Sequence, residues 1–537
     1  MALRINQIPI DDEYNSTSGG TETGEVYAIN SKSFMPITGQ QTTDMSSKFR
    51  YKLVLKIYDS TGSTLHATFK QRPNTFSTTS PTAIFDIRGI LNSLTSFTYY
   101  SQSAGQDPNN EPPIHEIGMY STTLISRNSG NYITFRARLS EEYSETQNGD
   151  LVENNGPQVT LAAVKTAFDQ FNYWGNTYAF PDQFQAEKYQ QTYFDRRFLS
   201  VLPASYNKQN IYDYRKGCLN ENGGVLTGYI QYVERYYDLH TLALWNRGNG
   251  YTYVNHIKFT FRKKDGTKCK ISGTDFTDVY FQINDSNGAF PYATTNQTDA
   301  DSLIFVGVGG RNIRGMNAQS HYVNLYDEET GLFTSTNTVD WGPFEHEEYD
   351  YYEVSGWSAV GQNANIQQKT KVYYFVHDDN KNCKGEEVIR LGWINHLGTY
   401  DYFNFTGSWT ESWETKTKGV EPVVGADSLS SDRYRIRPLD GKKAVTSVMT
   451  RKAKLRTGEL SEHENILIQS LLSSPEVFYI FREQQVEYDY GGISKKTMSQ
   501  RVYIEKQSYT KQYKSKKDKV KYEIDICFSN AVLTNTI

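Results

Sequence analysis

Two short clusters of histidine and carboxylate side chains are the first candidates for metal or acid–base chemistry in this sequence. They are residues 345–348, with the sequence EHEE, and residues 377–380, with the sequence HDDN. The first lacks the second histidine that a metalloprotease helix places four residues after the first, so we predict a solvated acidic loop. The second offers oxygen ligands that suit calcium, but it lacks the spacing of an EF-hand loop. We therefore expect no bound metal and no cofactor.

A glycine-rich segment and a carboxylate pair are the next candidates for chemistry. Residues 307–310, GVGG, resemble a phosphate-binding loop in their glycine content, but no Lys-Ser or Lys-Thr pair follows, so they predict a turn. Glu141 and Glu142 are adjacent and would point to opposite faces of a strand, which makes them a poor glycosidase pair. The sequence contains no G-x-S-x-G motif. We expect a protein that is not an enzyme.

A basic segment near the C-terminus has the residue types of a contact surface. Residues 495–521 contain ten Lys or Arg residues, against Glu505 and Asp518, with tyrosines between them. This composition suits single-stranded nucleic acid, a solvated hairpin face that lysines protect from aggregation, or a contact with an acidic subunit. The hairpin face is the preferred interpretation. The candidate contact residues in this segment are Lys514, Lys516 and Lys517.

A tyrosine-rich segment is the second candidate contact. Tyr349, Tyr351 and Tyr352 lie beside two acidic residues and could form a patch for a subunit or another partner. Ordinary packing in a half-buried strand is the preferred interpretation, because a tyrosine ring can be buried while its hydroxyl finds a partner.

The composition indicates that sheets must position these residues. The chain has 537 residues, with 41 Tyr, 27 Phe and 7 Trp, and a formal net charge of −5. Aromatic and β-branched enrichment favours strands, and the small net charge gives no reason to expect nucleic acid or an acidic membrane as the partner. The four cysteines lie far apart and form no metal or redox motif, so we expect reduced thiols.

Alternating apolar residues predict individual strands along the chain. Residues 49–59, FRYKLVLKIYD, place their apolar side chains at every second position, and the following DSTG predicts a hairpin turn. Residues 132–139 and 257–261 alternate in the same way, and KDGT at 264–267 predicts a tight hairpin. Near the C-terminus, apolar pairs at a spacing of four in 461–472 predict a helix that begins with a Ser/Glu capping box and ends before Pro475.

We predict a mainly β, multi-domain fold with immunoglobulin-like β-sandwiches and a small α+β C-terminal domain. Residues 1–155 would form the first sandwich, with a polar linker or long loop at 147–158. Residues 156–222 would be a connector that contains a helix at about 161–171. Residues 223–440 would be a central β-rich region, a second sandwich with an insertion at about 275–365. Residues 441–537 would form the C-terminal domain.

The start of the chain and its hydropathy bear on where the protein is made. The first residues have no apolar run long enough for a signal peptide, and no stretch of about 18 apolar residues occurs. We expect assembly in a cytosol, without a membrane.

Several segments, in order along most of the chain, resemble those of a family of tailed-phage virion proteins. The segments are FRYKLVLKIYD with FKQRPN and IFDIRGIL, RARLSEEY, YYDLHTLALWN, IRLGWINHLGTYDYFNF, LSEHENILIQSLLSSPEVFYI and VKYEIDICFSNAV. The most specific match is 389–405, which carries Arg390, Trp393, Asn395, Gly398, Asp401, Tyr402 and Phe405. The second is the helix-to-strand step at 474–477, which contains Pro475.

The resemblance implies a non-catalytic structural protein of the tail or collar, as in crAss-like or similar short-tailed phages. The protein would form a ring of copies of itself, with twelve-fold symmetry to match a portal. Its partners would be the portal and other tail or collar proteins, and the genome would pass through its channel without sequence-specific binding. It would be assembled in the host cytoplasm and located in the virion.

Two other functions stay open at this stage. Exposed Trp and Tyr side chains also suit a receptor- or glycan-binding tail adhesin, although adhesins are often trimers with shaft repeats, and no repeat occurs here. A carbohydrate-active enzyme of the virion would need two convergent carboxylates in a groove, for which the region of Glu347 and Asp350 is the candidate.

Overall fold

A computed structural model shows a mainly β protein that divides into two compact units. Unit 1 comprises Met1–His377 with Asn395–Tyr400, and unit 2 comprises Asp378–Ile394 with Asp401–Ile537. The residues that the structure describes are 3–7, 23–30, 37–41, 47–74, 81–97, 113–117, 125–128, 130–165, 229–234, 238–246, 254, 256–270, 277–282, 302–314, 323–327, 332–336, 349–358, 367–368, 370, 372–377, 388–395, 398–420, 426–430, 433–436, 443–457, 460–461, 465–481, 486–490, 493–497, 499–505, 519–528 and 532–534.

The strands up to residue 377 belong to unit 1. They are β1 (Leu3–Gln7), β2 (Thr23–Ala28), β3 (Ile37–Gln41), β4 (Phe49–Tyr58), β5 (Leu65–Gln71), β6 (Thr82–Phe85), β7 (Ile125–Asn128), β8 (Tyr132–Ser144), β9 (Val152–Val164), β10 (Tyr229–Glu234), β11 (Thr241–Asn246), β12 (His256–Arg262), β13 (Asp278–Gln282), β14 (Ser302–Gly307), β15 (Val323–Asp327), β16 (Leu332–Thr336), β17 (Tyr351–Ser358), β18 (Gln367–Gln368) and β19 (Tyr373–His377). The helices are α1 (Arg88–Leu94), a 3-10 turn at Ile114–Glu116, and α2 (Gly310–Arg314).

The first part of unit 1 contains two sheets that share one core. A five-stranded sheet has the order β2-β9-β8-β4-β5, and a three-stranded sheet has the order β1-β3-β6. Leu55 and Leu139 from the first sheet pack in the same cluster as Ile37 and Phe85 from the second. The alternation in β4 explains this packing, because every second side chain points to the same face of a strand.

The second part of unit 1 is organised around an eight-stranded sheet. Its order is β10-β19-β17-β12-β13-β15-β16, with β18 pairing β17, and a smaller sheet has the order β11-β14-β7. Ile257, Phe259 and Phe261 point to one buried face of β12, as the alternation predicted. The predicted tight hairpin is also present, because the Gly266 amide donates to the Lys263 carbonyl at 2.9 Å and Gly266 has a positive φ of 89°.

Unit 2 is built on a second eight-stranded sheet, and its described residues include one helix. Its elements are β20 (Ile389–Ile394), β21 (Tyr400–Phe405, of which Tyr400 counts with unit 1), β22 (Thr410–Val420), β23 (Ala426–Ser430), β24 (Arg433–Ile436), β25 (Lys443–Arg456), β26 (Leu460–Ser461), α3 (Asn465–Leu472), β27 (Val477–Ile480), β28 (Val486–Tyr490), β29 (Ile493–Thr497), β30 (Ser499–Ile504), β31 (Lys519–Val520), β32 (Glu523–Phe528) and β33 (Val532–Thr534). The main sheet has the order β21-β20-β27-β30-β32-β25-β22, and β33 pairs β25. The predicted helix is present at Asn465–Leu472 and the strand after it at Val477–Ile480. The predicted start is wrong, because Ser461 belongs to β26 and pairs with Lys519 rather than capping the helix, and Glu464 lies outside the described residues.

The predictions for residues 147–171 need correction. Residues 152–158 belong to β9 rather than to a linker, and 161–164 continue the same strand rather than begin a helix. Val152–Val164 pairs with β8 along nearly its whole length, so the polar 152–158 segment has backbone partners in a sheet. The polar side chains of this segment gave no sign of that pairing. The boundary proposed at residue 155 therefore falls inside a strand, and the wider division into four parts stays a prediction.

Candidate interaction surface and polar clusters

The tyrosines of the predicted contact patch lie in the core of unit 1. Tyr349, Tyr351 and Tyr352 are all buried. The Tyr352 ring stacks on Phe375 with centroids 5.1 Å apart, and its hydroxyl donates to the Val308 carbonyl. These three tyrosines are therefore not available as a contact patch on the surface of unit 1. Strand packing, the preferred interpretation, accounts for the rings, because the sheet buries both of its faces at this point.

Several other candidates lie outside the described residues. They are Lys514, Lys516 and Lys517, the EHEE segment at 345–348 and residues 378–380 of the HDDN segment. Asp350, next to the EHEE segment, is exposed and accepts a hydrogen bond from the Lys264 amide at 2.6 Å. Within the described part of the chain, no three His, Cys, Asp or Glu side chains are grouped so that they could hold a metal ion.

The residues of the 389–405 motif in unit 2 are buried anchors. Arg390 donates to the Asn404 side-chain oxygen at 3.0 Å, and its guanidinium lies 5.1 Å from the centre of the Tyr402 ring. Trp393 is fully buried and directs its ring nitrogen to Ser470 of α3 at 3.3 Å. Asp401 and Phe405 are also buried, whereas Pro475 is exposed between α3 and β27.

The turn of the same motif belongs to unit 1 and is held by its backbone. The Gly398 amide donates to the Asn395 carbonyl at 3.0 Å, and Gly398 has a positive φ of 80°. The Asn131 side chain donates to the Gly398 carbonyl at 2.9 Å. A Cβ at position 398 would lie 2.2 Å from the Lys165 carbonyl oxygen, so only glycine fits this close approach.

The glycine-rich 307–310 segment is a turn between β14 and α2, as predicted. The amides of Val308 and Gly309 both donate to the His240 carbonyl, at 2.8 and 3.0 Å. These amides are therefore committed within the fold rather than presented to a phosphate. A Cβ at position 309 would lie 2.4 Å from the Asp238 carbonyl oxygen, which explains the glycine.

Asn312, in α2, joins three segments through its buried side chain. Its oxygen accepts from the His240 amide at 2.8 Å, and its nitrogen donates to the carbonyls of His115 and Ile117 at 2.9 and 2.7 Å. No motif in the sequence predicted a role for this residue. An asparagine in a polar segment carries no local signal of such a role, because its partners lie up to 197 residues away.

The face of β12 opposite the aromatic core carries a charged cluster. The Asp278 carboxylate accepts from Lys258 at 2.7 Å, from Lys268 at 3.2 Å and from the Thr260 hydroxyl at 2.6 Å. The Lys258 ammonium also lies 5.0 Å from the Trp357 ring centre. Burial alone would raise the pKa of Asp278, but its cationic and hydroxyl partners outweigh this effect and hold the pKa below its usual value.

A second carboxylate of the same face has the opposite pKa shift. Glu353 accepts from the Arg262 guanidinium at 2.6 Å, and burial raises its pKa despite that partner. Glu353 and Asp278 flank Thr260 on neighbouring strands. Two carboxylates with opposed shifts are typical of acid–base pairs, but here each carboxylate is held by a cation. The arrangement favours a structural ion network that fixes the register of β12, β13 and β17.

Glu141 and Glu142 point to opposite faces of β8, as predicted. Glu141 lies on the core side and accepts from Gln41 at 2.9 Å and Lys48 at 2.8 Å. Glu142 lies on the outer side and accepts from Lys70, with Lys52 at 3.6 Å. Burial alone would raise the pKa of Glu141, but the donors outweigh it and lower the pKa. The pair does not converge on one site.

Strand β22 forms one edge of the unit 2 sheet. It pairs with β25 on one side, and no strand of the described residues pairs with its other side. Trp413 on this strand is 53% exposed. Arg451 holds it in place, because this guanidinium lies 6.0 Å from the Trp413 ring, 4.3 Å from the Phe528 ring and 2.9 Å from Glu411. An edge strand whose outer side has no strand partner among the described residues, together with an exposed indole, is the best candidate for a protein contact.

Comparisons with known proteins add no family. No protein-family model, curated protein or solved structure matches this chain. Among the described residues, no helix has the length and apolar character needed to cross a bilayer.

Proposed function

We propose that this protein is a non-catalytic structural component of a phage virion tail or collar, which forms a ring of identical subunits around the genome channel near the portal. One observation carries the proposal. The motif residues of 389–405, the most specific part of the resemblance, are buried and hold a hairpin together. Buried residues that hold a hairpin together maintain the fold of a protein. A family of structural proteins would share residues with that role.

Features of both units support the two domain types in this proposal, an immunoglobulin-like sandwich and a small α+β domain. The two sheets at the start of unit 1 share one core, which suits an immunoglobulin-like sandwich. In unit 2, Trp393 contacts Ser470 of α3, so the helix covers one face of the sheet, which suits a small α+β domain.

The charges of the described residues support a structural role as well. Asp278, Glu353 and Glu141 are each bonded to a lysine or arginine within the fold. A carboxylate that is held by a cation is less available as a general acid or base. The partners in this proposal are further copies of the chain, the portal and other tail or collar proteins, and the protein resides in the virion after assembly in the host cytoplasm.

A receptor- or glycan-binding adhesin is the second candidate, and the exposed Trp413 is the observation that favours it. An indole ring can stack on a sugar as well as fill a protein contact.

Native mass spectrometry and negative-stain images of the purified protein, alone and with its portal, test the proposal. We expect closed rings, or a smaller species that forms rings when the portal is added. A trimer that binds cell-surface glycans, and loses that binding in Trp413→Ala, would favour the adhesin. Hydrolysis of a glycan by the purified protein would overturn the non-catalytic assignment.

A further inference from the structure

The outer edge of β22 has a charge pattern that is complementary to itself. Its sequence TESWETKTKGV places Glu411 and Glu414 in the first half and Lys416 and Lys418 in the second half. The side chains of this strand are accessible, since Lys416 is 77% exposed and Glu414 is 42% exposed. Two such strands in antiparallel orientation would therefore set acidic residues against basic ones.

We propose that the β22 edges of two copies of this chain pair antiparallel about a two-fold axis through Thr415, and so join the two sheets into one. An edge strand with unpaired backbone groups is a template for such pairing. A two-fold contact is self-complementary, so each favourable pair occurs twice.

The charges select the register. A two-fold axis perpendicular to the sheet keeps each side chain on its own face, so the axis passes through a residue rather than between two residues. With the axis at Thr415, Glu414 of each copy lies opposite Lys416 of the other, and Trp413 lies opposite Thr417. With the axis at Glu414 or at Lys416, that residue would lie opposite its own copy, and like charges directly opposite are destabilising.

In this register, the residues that pair lie in the part of β22 that has regular strand geometry. The pairing of β22 with β25 is continuous from Thr410 to Lys418, and the irregularity comes only between Lys418 and Gly419. Residues 412–418 of each copy would pair. Lysines on an edge strand often prevent association, but here each Lys416 has a glutamate opposite it.

This contact goes beyond the proposed ring and is independent of it. A ring needs a head-to-tail contact, whereas the β22 contact is two-fold and closes after two copies. The β22 contact alone would produce dimers, and both contacts together would produce even numbers of subunits.

Disulfide trapping tests the register directly. In Thr415→Cys, the two introduced cysteines would face each other with Cα atoms about 4.5–5.5 Å apart, which a disulfide can span. In the control Thr417→Cys, on the same strand and the same face, they would be about 14 Å apart. We expect the first variant to oxidise rapidly to a covalent dimer. The second variant should form no more covalent dimer than the parent chain, whose four native cysteines set the background level.

Charge exchange provides a second test by sedimentation. Glu414→Lys should raise the dissociation constant of the dimer by about tenfold, because it puts lysine opposite lysine. Adding Lys416→Glu should restore the dimer, although the internal partner of Glu414, Lys452, stays mismatched in both variants.

The two proposals fail in different ways. A parent chain that is monomeric at all concentrations, or equal trapping of both cysteine variants, would overturn the β22 pairing. Assemblies with an odd total number of subunits would overturn it while supporting the ring. Trapped dimers that never form rings with the portal would leave the β22 pairing in place and contradict the ring.

Discussion

Asn131 donates a hydrogen bond of 2.9 Å to the carbonyl oxygen of Gly398, a residue 267 positions farther along the chain. The contact joins the turn before β8 to the turn between β20 and β21, both within unit 1. Lys165 contacts the same turn, because its amide donates to the Asn131 carbonyl at 2.8 Å. The most specific segment of the sequence is therefore anchored by residues that no local pattern connects to it.

Gly398→Ala should destabilise unit 1. Alanine at a positive φ costs about 1–2 kcal/mol, and the close approach of Lys165 adds to that cost. The control is Gly89→Ala in α1, where a Cβ would meet nothing within 4 Å, and alanine should stabilise the helix by about 0.5–1 kcal/mol. Urea unfolding of the two variants measures both. Equal effects of the two substitutions would contradict the geometry described for Gly398.

Asn312→Asp should destabilise unit 1 by about 3 kcal/mol or more, because an oxygen would replace the nitrogen that donates to two carbonyls. Thermal or urea unfolding measures the loss. Asn404→Asp is the matched control, since Asn404 uses its oxygen to accept from Arg390 and aspartate keeps that acceptor. A smaller loss for Asn312→Asp than for the control would exclude the proposed role of Asn312.

Asp278→Asn should cost about 3–5 kcal/mol, because it leaves the cations of Lys258 and Lys268 in a mostly buried cluster without their carboxylate. The control is Glu476→Gln, whose pair with Arg501 is more exposed, and the change there should stay within about 1 kcal/mol. Denaturant titrations at neutral pH compare them. Similar small losses would show that water already screens the Asp278 cluster.

His256 should make the protein less stable as the pH falls. Burial lowers the pKa of this histidine to about 3, whereas the unfolded chain would titrate near 6.5. The unfolded state therefore binds the proton first, and this group's contribution to stability falls as the pH drops from 6.5 toward 3. The slope is up to about 1.4 kcal/mol per pH unit.

In the pH interval from 6.5 to 5 most carboxylates are still ionised, and comparison with a variant separates His256 from the eight other histidines. His256→Gln should flatten the dependence of the unfolding free energy on pH in this interval, whatever its effect on absolute stability. An unchanged slope in the variant would show that the folded protein takes up this proton over the same pH range as the unfolded chain.

The sequence by itself determined the local elements. Alternating apolar residues predicted β4, β8 and β12, and the apolar pairs at a spacing of four predicted α3, because these patterns depend only on which side chains share a face. The turns at Gly62 and Gly266 followed from their residue types, and both glycines have a positive φ. The opposite directions of Glu141 and Glu142 followed from the same alternation.

Only the tertiary structure decided which faces are buried and which residues meet. Tyr352 is of a residue type that is common in protein contacts, yet it is buried, with its ring stacked on Phe375 and its hydroxyl bonded to the Val308 carbonyl. The polar segment at 152–158 was predicted to be a linker, but β8 supplies its backbone partners. Asn312 acquires its role from His240, His115 and Ile117, which lie 72 to 197 residues away in the chain. Periodicity reports how a strand's side chains alternate, whereas sheet order decides what lies against each face, and sheet order depends on contacts between distant segments.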